Sequence, residues 1–291
     1  MIMSKPVAVS DEIVPDAALT TDPGECVSWR ARRDALGAQL QQRPLPEITA
    51  EEVEVHFSGM PAHYWQRVNE EDVVWGLQTI HGFLKLVTTP NTPATAPFVN
   101  WRQDPGAART RVMFCTWDRH GLLAKAAAAF SAVRLNILQA DVFTRTDNVV
   151  LDLFSVSHSD GHGPATLTQL EEMRFLLEGA LSEPPRFASV WACSRHKFLA
   201  PPTSFGAHIS FDNESSLLAT AIHVEAPDRL GLLYDILQTL ADRGLRITQA
   251  SIQTRNELAH DIIQVTDALG KKVAGARELE LLRRSLETAL T

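Results

Sequence analysis

The sequence predicts an α+β fold in which an N-terminal helical segment precedes two ferredoxin-like βαββαβ units. Three observations predict it: helical spacing of apolar residues in the first third, strand-like alternation beyond it, and an internal duplication. Residues 118–145 match residues 228–255 at 11 of 28 positions without a gap. A duplication defines the structural unit, because both copies are expected to fold in the same way.

The N-terminal third divides into a lead and a helical segment. Residues 1–24 are polar and acidic and lack the basic and then apolar pattern of a signal peptide, so we expect a disordered lead. Residues 25–96 are the predicted helical segment and linker. Apolar residues recur there at three- and four-residue spacing, which predicts helices at residues 29–40, 51–57 and 70–84. The Thr- and Pro-rich residues 87–96 cannot continue a helix and predict the linker.

The first repeat lies in a predicted domain of residues 97–195 and has the pattern of a complete βαββαβ unit. Alternating apolar and polar residues mark its strands, and helical spacing marks its helices. The expected order is a strand at 111–117, a helix at 121–134, strands at 135–145 and 149–156, a helix at 165–181 and a strand at 186–193. Residues 97–103 are a candidate for a similar strand ahead of the repeat.

The second repeat, in a predicted domain of residues 196–291, has the same order but lacks its fourth strand. Its strands are expected at 221–226, 245–254 and 259–265, and its helices at 231–243 and 278–289. The fourth strand of such a unit lies beside the first, so its absence would expose a strand edge. We predict that residues 207–211 pair with residues 221–226 and fill that position.

Composition narrows the classes of partner. A net charge of −8 is not that of a nucleic-acid-binding protein. Cys26, Cys115 and Cys193 are scattered without metal-ligand spacing, which favours a reducing cytoplasm over a zinc site or a disulfide framework. No apolar run approaches the roughly 20 residues that span a bilayer. We therefore expect a cytoplasmic protein with no metal or other cofactor and neither nucleic acid nor membrane as a partner.

The repeated motif Asp-Arg-x-Gly-Leu-Leu lies between the first strand and the first helix of each repeat. Its glycine permits a tight turn, and the first N–H groups of the helix can receive a carboxylate. Because the aspartate could accept hydrogen bonds from an ammonium group, the motif suits a free α-amino acid. The alternative, that Asp only caps the helix and Gly only makes the turn, stays open.

Fourteen residues are candidates for ligand binding, and they fall at equivalent positions of the two repeats. They are Asp118, Arg119, His120, Gly121, Leu122, Leu123 and Gln139, with Asp228, Arg229, Leu230, Gly231, Leu232, Leu233 and Gln249. The two glutamines could reach a ligand held by the neighbouring unit, or could form an interface hydrogen bond. For Asp152 and Asp261, in the return strands, a strand hydrogen bond is favoured over ligand contact. His56, His63 and His81 are interpreted as ordinary, partly exposed histidines.

A βαββαβ unit with this motif at its first turn resembles an ACT domain, a regulatory module that commonly binds amino acids at domain interfaces. Residues 202–213, 219–234 and 260–267 resemble the C-terminal region of bacterial PII uridylyltransferase/uridylyl-removing enzymes, and residues 57–64 are similar to a segment upstream of it. The resemblance implies two ACT-like domains, at residues 97–195 and 196–291, that sense glutamine in nitrogen metabolism. It also implies a homo-oligomer formed through the ACT units, with a PII-type protein or a separate catalytic chain as partner.

The departures from that family bear on activity. His120 and Leu230 replace the family's usual proline, and the sequence contains neither the Gly-Ser and Asp-x-Asp pattern of the transferase nor the spaced His and His-Asp set of the hydrolase. His260-Asp261 opens a strand and is interpreted as structural. We therefore expect a non-catalytic regulatory protein. A uridylyltransferase-related enzyme and a ligand-independent dimerisation module stay open as alternatives.

Overall fold

The computed structural model describes residues 23–42, 45–103, 108–159, 163–181, 206–255 and 257–290. Its helices are α1 Pro23–Gln42, α2 Ala50–Gly59, α3 Ala62–Arg67, α4 Glu70–Thr88, α5 Leu122–Ala132, α6 Leu167–Leu181, α7 Leu232–Asp242 and α8 Ala276–Leu290. Its strands are β1 Phe98–Gln103, β2 Thr110–Trp117, β3 Leu135–Thr144, β4 Val149–His158, β5 His208–Asp212, β6 Thr220–Pro227, β7 Arg246–Arg255 and β8 Leu258–Thr266. The predicted α+β fold with N-terminal helices is confirmed. The predicted lead, residues 1–24, lies almost wholly outside the described residues.

The eight strands form one antiparallel sheet in the order β1-β2-β4-β3-β7-β8-β6-β5. Each half of the sheet contains three strands of one repeat and one strand that precedes it, and the two halves join where residues 139–141 of β3 pair with residues 251–253 of β7. We call the two halves, with their helices, unit 1 and unit 2. The side-by-side joining that a dimer of such units would use therefore occurs within one chain.

Both units fill the position beside their first strand with a strand that precedes the repeat. In unit 2, β5 pairs antiparallel with β6, which confirms the prediction for residues 207–211. In unit 1 that position is occupied by β1, which pairs with β2 along its whole length, while β4 occupies the other edge of β2. The candidate strand at residues 97–103 is thus confirmed as β1, and both edges of β2 are occupied. The predicted fourth strand of unit 1, residues 186–193, lies outside the described residues.

Helices cover the two units differently. Helices α5 to α8 pack on one face of the whole sheet and share one apolar core. The opposite face of unit 1 packs against the N-terminal helices, through a second apolar cluster that includes Met113, Cys115, Phe143 and Leu151. Accordingly, residues 149–157 of β4 are all buried, whereas β8 alternates between buried and exposed positions. Alternation of this kind is typical of a sheet with one solvated face.

Polar contacts fix the N-terminal helices to the sheet. Arg67 in α3 pairs through Nε with Asp141 at 3.0 Å and donates from Nη2 to the hydroxyl of Ser251. Asp141 and Ser251 are repeat equivalents that face each other across the β3–β7 junction. Arg67 therefore bonds to both units at the centre of the duplication.

His56 differs from its sequence interpretation, because it is fully buried rather than partly exposed. Its Nε2 lies 3.1 Å from the Tyr64 hydroxyl, and burial lowers its pKa to about 3. His81, partly exposed as expected, pairs through Nδ1 with Glu52 at 2.8 Å. Among the described residues, no three side chains of the types that ligate metals are grouped to hold an ion, and none of the helices is long and apolar enough to cross a membrane.

Candidate functional site

The repeated motif forms the turn into α5 in unit 1 and into α7 in unit 2. Gly121 and Gly231 have φ of +70° and +83°, in the left-handed region that favours glycine. In the first turn of α5, the Leu122 N–H donates to the Arg119 carbonyl at 3.1 Å. The N–H groups of Leu123 and Ala124 have no acceptor in the described parts of the chain. They point from the positive end of the helix, where anions are favoured.

The unit 1 turn faces unit 2 across a cavity of about 320 Å³, which we call site 1. Its walls come from the turn, from the adjacent strands of unit 1, and from α7, β7 and the region around Gly270 in unit 2. The polar or charged side chains among its lining residues are those of Asp118, Arg119, His120, Thr144, Asp152, Arg246, Thr248 and Thr266. A ligand in site 1 would therefore contact both units at once.

The unit 2 turn faces unit 1 in the same way, but the cavity there, site 2, has a volume of only about 10 Å³. Every residue that lines site 2 has a repeat equivalent that lines site 1. Asp228 corresponds to Asp118, Asp261 to Asp152, and Asn136 to Arg246. The two sites are thus pseudo-symmetric copies, one open and the other closed.

A buried acid lies at the base of site 1. Asp152 is 1% exposed; its Oδ1 accepts a hydrogen bond from the Phe143 N–H at 3.3 Å, and its Oδ2 has no partner among the described residues. Burial raises its pKa well above the ordinary value, and the charge of Asp118 raises it further. Asp152 therefore favours its neutral, protonated form, while Asp118 is exposed to solvent.

In site 2 the corresponding groups bond to the chain itself. The Asn136 amide donates from Nδ2 to Asp228 Oδ2 at 2.8 Å, across the boundary between the units. Burial raises the pKa of Asp228, although hydrogen bonds from Asn136 and Thr254 oppose this effect. Burial and then the charge of Asp228 raise the pKa of Asp261 to about 7, and Asp261 Oδ1 has no partner within the described residues.

The candidate residues of the motif divide between the two sites. All six from unit 1, at positions 118–123, line site 1, and those of unit 2 line site 2 except Leu230. The two motif arginines hold their turns in place. Arg119 donates to the carbonyls of Thr95 and Leu181 and to the Thr116 hydroxyl, and Arg229 pairs with Asp235 at 2.7 Å.

His120 spans the two units at the edge of site 1. Its Nε2 lies 3.0 Å from the Ala241 carbonyl at the end of α7 and donates to it. Leu230, at the equivalent position of unit 2, cannot make such a bond. The histidine that stands at position 120, in place of the proline usual in the resembled family, therefore supplies a contact between the units.

Gln139 and Gln249 line neither cavity. Gln139 donates from Nε2 to Asp141 Oδ2 at 2.9 Å, close to the β3–β7 junction. Sequence reasoning missed Arg246 and Asn136, which lie in the repeated Leu-x-Ile segments at the start of β7 and within β3. A sequence signal for them exists: in the two Leu-x-Ile segments the leucine and the isoleucine are repeated, whereas the residue between them changes from Asn136 to Arg246.

The chain is similar in sequence to one described domain family and to several known proteins. Residues 208–291 match the family described as ACR9-like, ACT-like domain. The bifunctional uridylyltransferase/uridylyl-removing enzyme of Azospirillum brasilense is 31% identical over 276 residues, which are 92% of this chain and 28% of that protein. The enzyme of the same name from Ruegeria pomeroyi is 30% identical over 263 residues, 89% of this chain and 27% of that one.

This chain is a homologue of the bifunctional uridylyltransferase/uridylyl-removing enzymes. It spans 28% of the length of the Azospirillum relative and 20% of that of Rhodospirillum rubrum, so it corresponds to a part of such enzymes. Among solved structures, aspartate kinase from Synechocystis superposes with a TM-score of 0.35 at 12% identity, over 62% of this chain and 26% of that chain.

Proposed function

We propose that this homologue is a non-catalytic regulatory protein of nitrogen metabolism that senses a free amino acid, glutamine, in site 1. The observation that carries the proposal is the pairing, in one cavity, of helix N–H groups without acceptors and a buried acid with an unpartnered oxygen. The volume of about 320 Å³ lies at the lower end of the range of small-molecule sites.

The polar groups of site 1 match those of an amino acid. In the proposed complex, the N–H groups of Leu123 and Ala124 bind the carboxylate, and Asp118 accepts hydrogen bonds from the ammonium group. Protonated Asp152 donates to a side-chain amide carbonyl, and the Thr144 hydroxyl accepts from the amide nitrogen. A neutral amide supports glutamine, because it offers both the acceptor and the donor that these two groups require.

The proposed signal is a change in how the two units pack. Since site 1 is formed by both units, a ligand that binds one arrangement more tightly increases the population of that arrangement. A PII-type protein, or a separate catalytic chain, reads the arrangement in this proposal. No chemical step is assigned to the site, because the motifs that such a step would require are absent from the sequence.

A thermal-shift screen against the twenty amino acids tests the proposal, since a ligand that binds only the folded state must raise the melting temperature. We expect a selective rise with glutamine that is lost in Gly121→Val and kept in Gly231→Val. Both glycines have positive φ, so the two variants carry similar backbone strain, and circular dichroism checks that each is folded. No shift with any amino acid at millimolar concentration would overturn the proposal.

A further inference from the structure

Site 2 contains a hydrogen bond to its motif aspartate that site 1 lacks. Asn136 reaches across from unit 1 and donates to Asp228 at 2.8 Å. Its equivalent in site 1, Arg246, is exposed, and its side chain makes no hydrogen bond or ion pair in the described parts of the chain. Nor does the side chain of Asp118 accept a hydrogen bond from any described residue. The same carboxylate is therefore partnered in one copy and available in the other.

The remaining wall of site 2 keeps the features of a binding site. The acid at its base, Asp261, is 2% exposed and has an oxygen without a partner among the described residues, as Asp152 has in site 1. A buried polar atom without a partner lowers the stability of the folded state. The cost is expected where a ligand supplies the missing bond, and site 2 has the same arrangement of acids as the open copy.

We propose that site 2 is a second site for the same class of ligand, a free amino acid, which the chain keeps closed with the carboxamide of Asn136. The Asn136 amide takes the position of the N–H donor that a ligand's ammonium group presents to Asp118 in site 1. The native protein accordingly binds one ligand per chain. This inference rests on the proposed function, since it takes its ligand class from site 1.

Isothermal titration with glutamine measures the number of sites directly. Asn136→Ala removes the donor that closes site 2, and Asn100→Ala, in β1 and lining neither site, is the matched control. We expect about one ligand per chain in the native protein and in Asn100→Ala, and about two in Asn136→Ala. A folded Asn136→Ala protein that still binds one ligand overturns the inference.

A second readout does not depend on the ligand. Ser131 lines site 2 and Ala241 is its equivalent in site 1, so each is replaced by cysteine in a background of Cys26→Ser and Cys193→Ser; Cys115 is buried. We expect methyl methanethiosulfonate to label the thiol at position 131 at least tenfold faster once Asn136→Ala is added. The thiol at position 241 should show no such change.

The titration and the labelling rate together distinguish a failure of the proposed function from a failure of the proposed closure of site 2. If neither the native protein nor Asn136→Ala binds glutamine or any other amino acid, the proposed function fails, and with it the ligand class of site 2. Faster labelling at position 131 still supports closure by Asn136. An unchanged labelling rate overturns that closure, whatever the native protein binds.

Discussion

Site 1 and site 2 are built from equivalent residues of a duplicated fold, yet their volumes are about 320 Å³ and about 10 Å³. Five of the six motif residues are identical in the two turns, which differ only at His120 and Leu230. The residue that the opposite unit presents does differ: Asn136 bonds to Asp228 in the turn of unit 2, whereas Arg246 makes no such bond to Asp118 in the turn of unit 1. The two turns thus differ in the residue that the neighbouring unit presents to their aspartate.

The largest effect on the free energy of unfolding is expected from substitutions of the buried acids, Asp152 and Asp261, at which the two sites are most alike. The pKa of Asp261 is raised to about 7 in the folded protein, so the folded state favours the protonated carboxyl. The stability contribution of Asp261 is therefore fully present below its unfolded pKa and is lost as pH rises through about 7. Asp261→Asn should therefore raise the free energy of unfolding by about 2–4 kcal/mol at pH 8. The gain should shrink towards pH 4.

Urea denaturation between pH 4 and pH 8 checks this expectation, with Asp152→Asn as the equivalent change in site 1. Both variants should become relatively more stable as pH rises. A variant whose advantage over the native protein is the same at every pH would show that these carboxyls do not titrate as their burial requires.

A smaller effect is expected for the bond that closes site 2. Asn136→Ala leaves the partly buried Asp228 without its cross-unit donor, which should lower the free energy of unfolding by about 1–3 kcal/mol. Arg246→Ala should change it by less than about 0.5 kcal/mol, because Arg246 is exposed. Denaturation in urea at pH 7 measures both, and equal losses in the two variants would contradict the asymmetry.

The smallest effect concerns the contact that site 1 has and site 2 lacks. His120→Leu recreates the residue of unit 2 and removes the bond to the Ala241 carbonyl, so we expect a loss of about 0.5–1.5 kcal/mol. The reverse change, Leu230→His, serves as the control and should not stabilise the protein by a similar amount unless a new partner forms. Melting temperatures of the two variants at pH 8 give the comparison.

Local patterns were sufficient to predict most of the fold. The repeat defined two units, and the missing strand of unit 2 predicted β5, because an open edge beside β6 had to be filled. The role of β1 was harder to predict, since unit 1 had a candidate of its own at residues 186–193. The buried His56 was missed because its partner Tyr64 lies on the next helix and the sheet beneath both comes from another part of the chain.

Of the two walls of each candidate site, the sequence predicted the wall formed by the motif turn but not the wall formed by the opposite unit. The motif located each turn, but the facing wall depends on the pairing of β3 with β7, and that pairing brings together residues about 110 positions apart. Asn136 and Asp228 are 92 positions apart and meet only because the two units join in this register. Arg67 likewise contacts a residue 184 positions away. Periodicity along the sequence carries no information on contacts of this kind.

The most direct test of the account is isothermal titration of glutamine into the native protein, Asp118→Asn and Asp228→Asn. Each variant removes one charge and keeps the size of the side chain. We predict that Asp118→Asn weakens binding by about 10- to 100-fold, as expected for loss of a hydrogen bond to a charged group, and that Asp228→Asn changes it by less than about threefold. Binding that is lost in Asp228→Asn and kept in Asp118→Asn would contradict the assignment of the ligand to site 1.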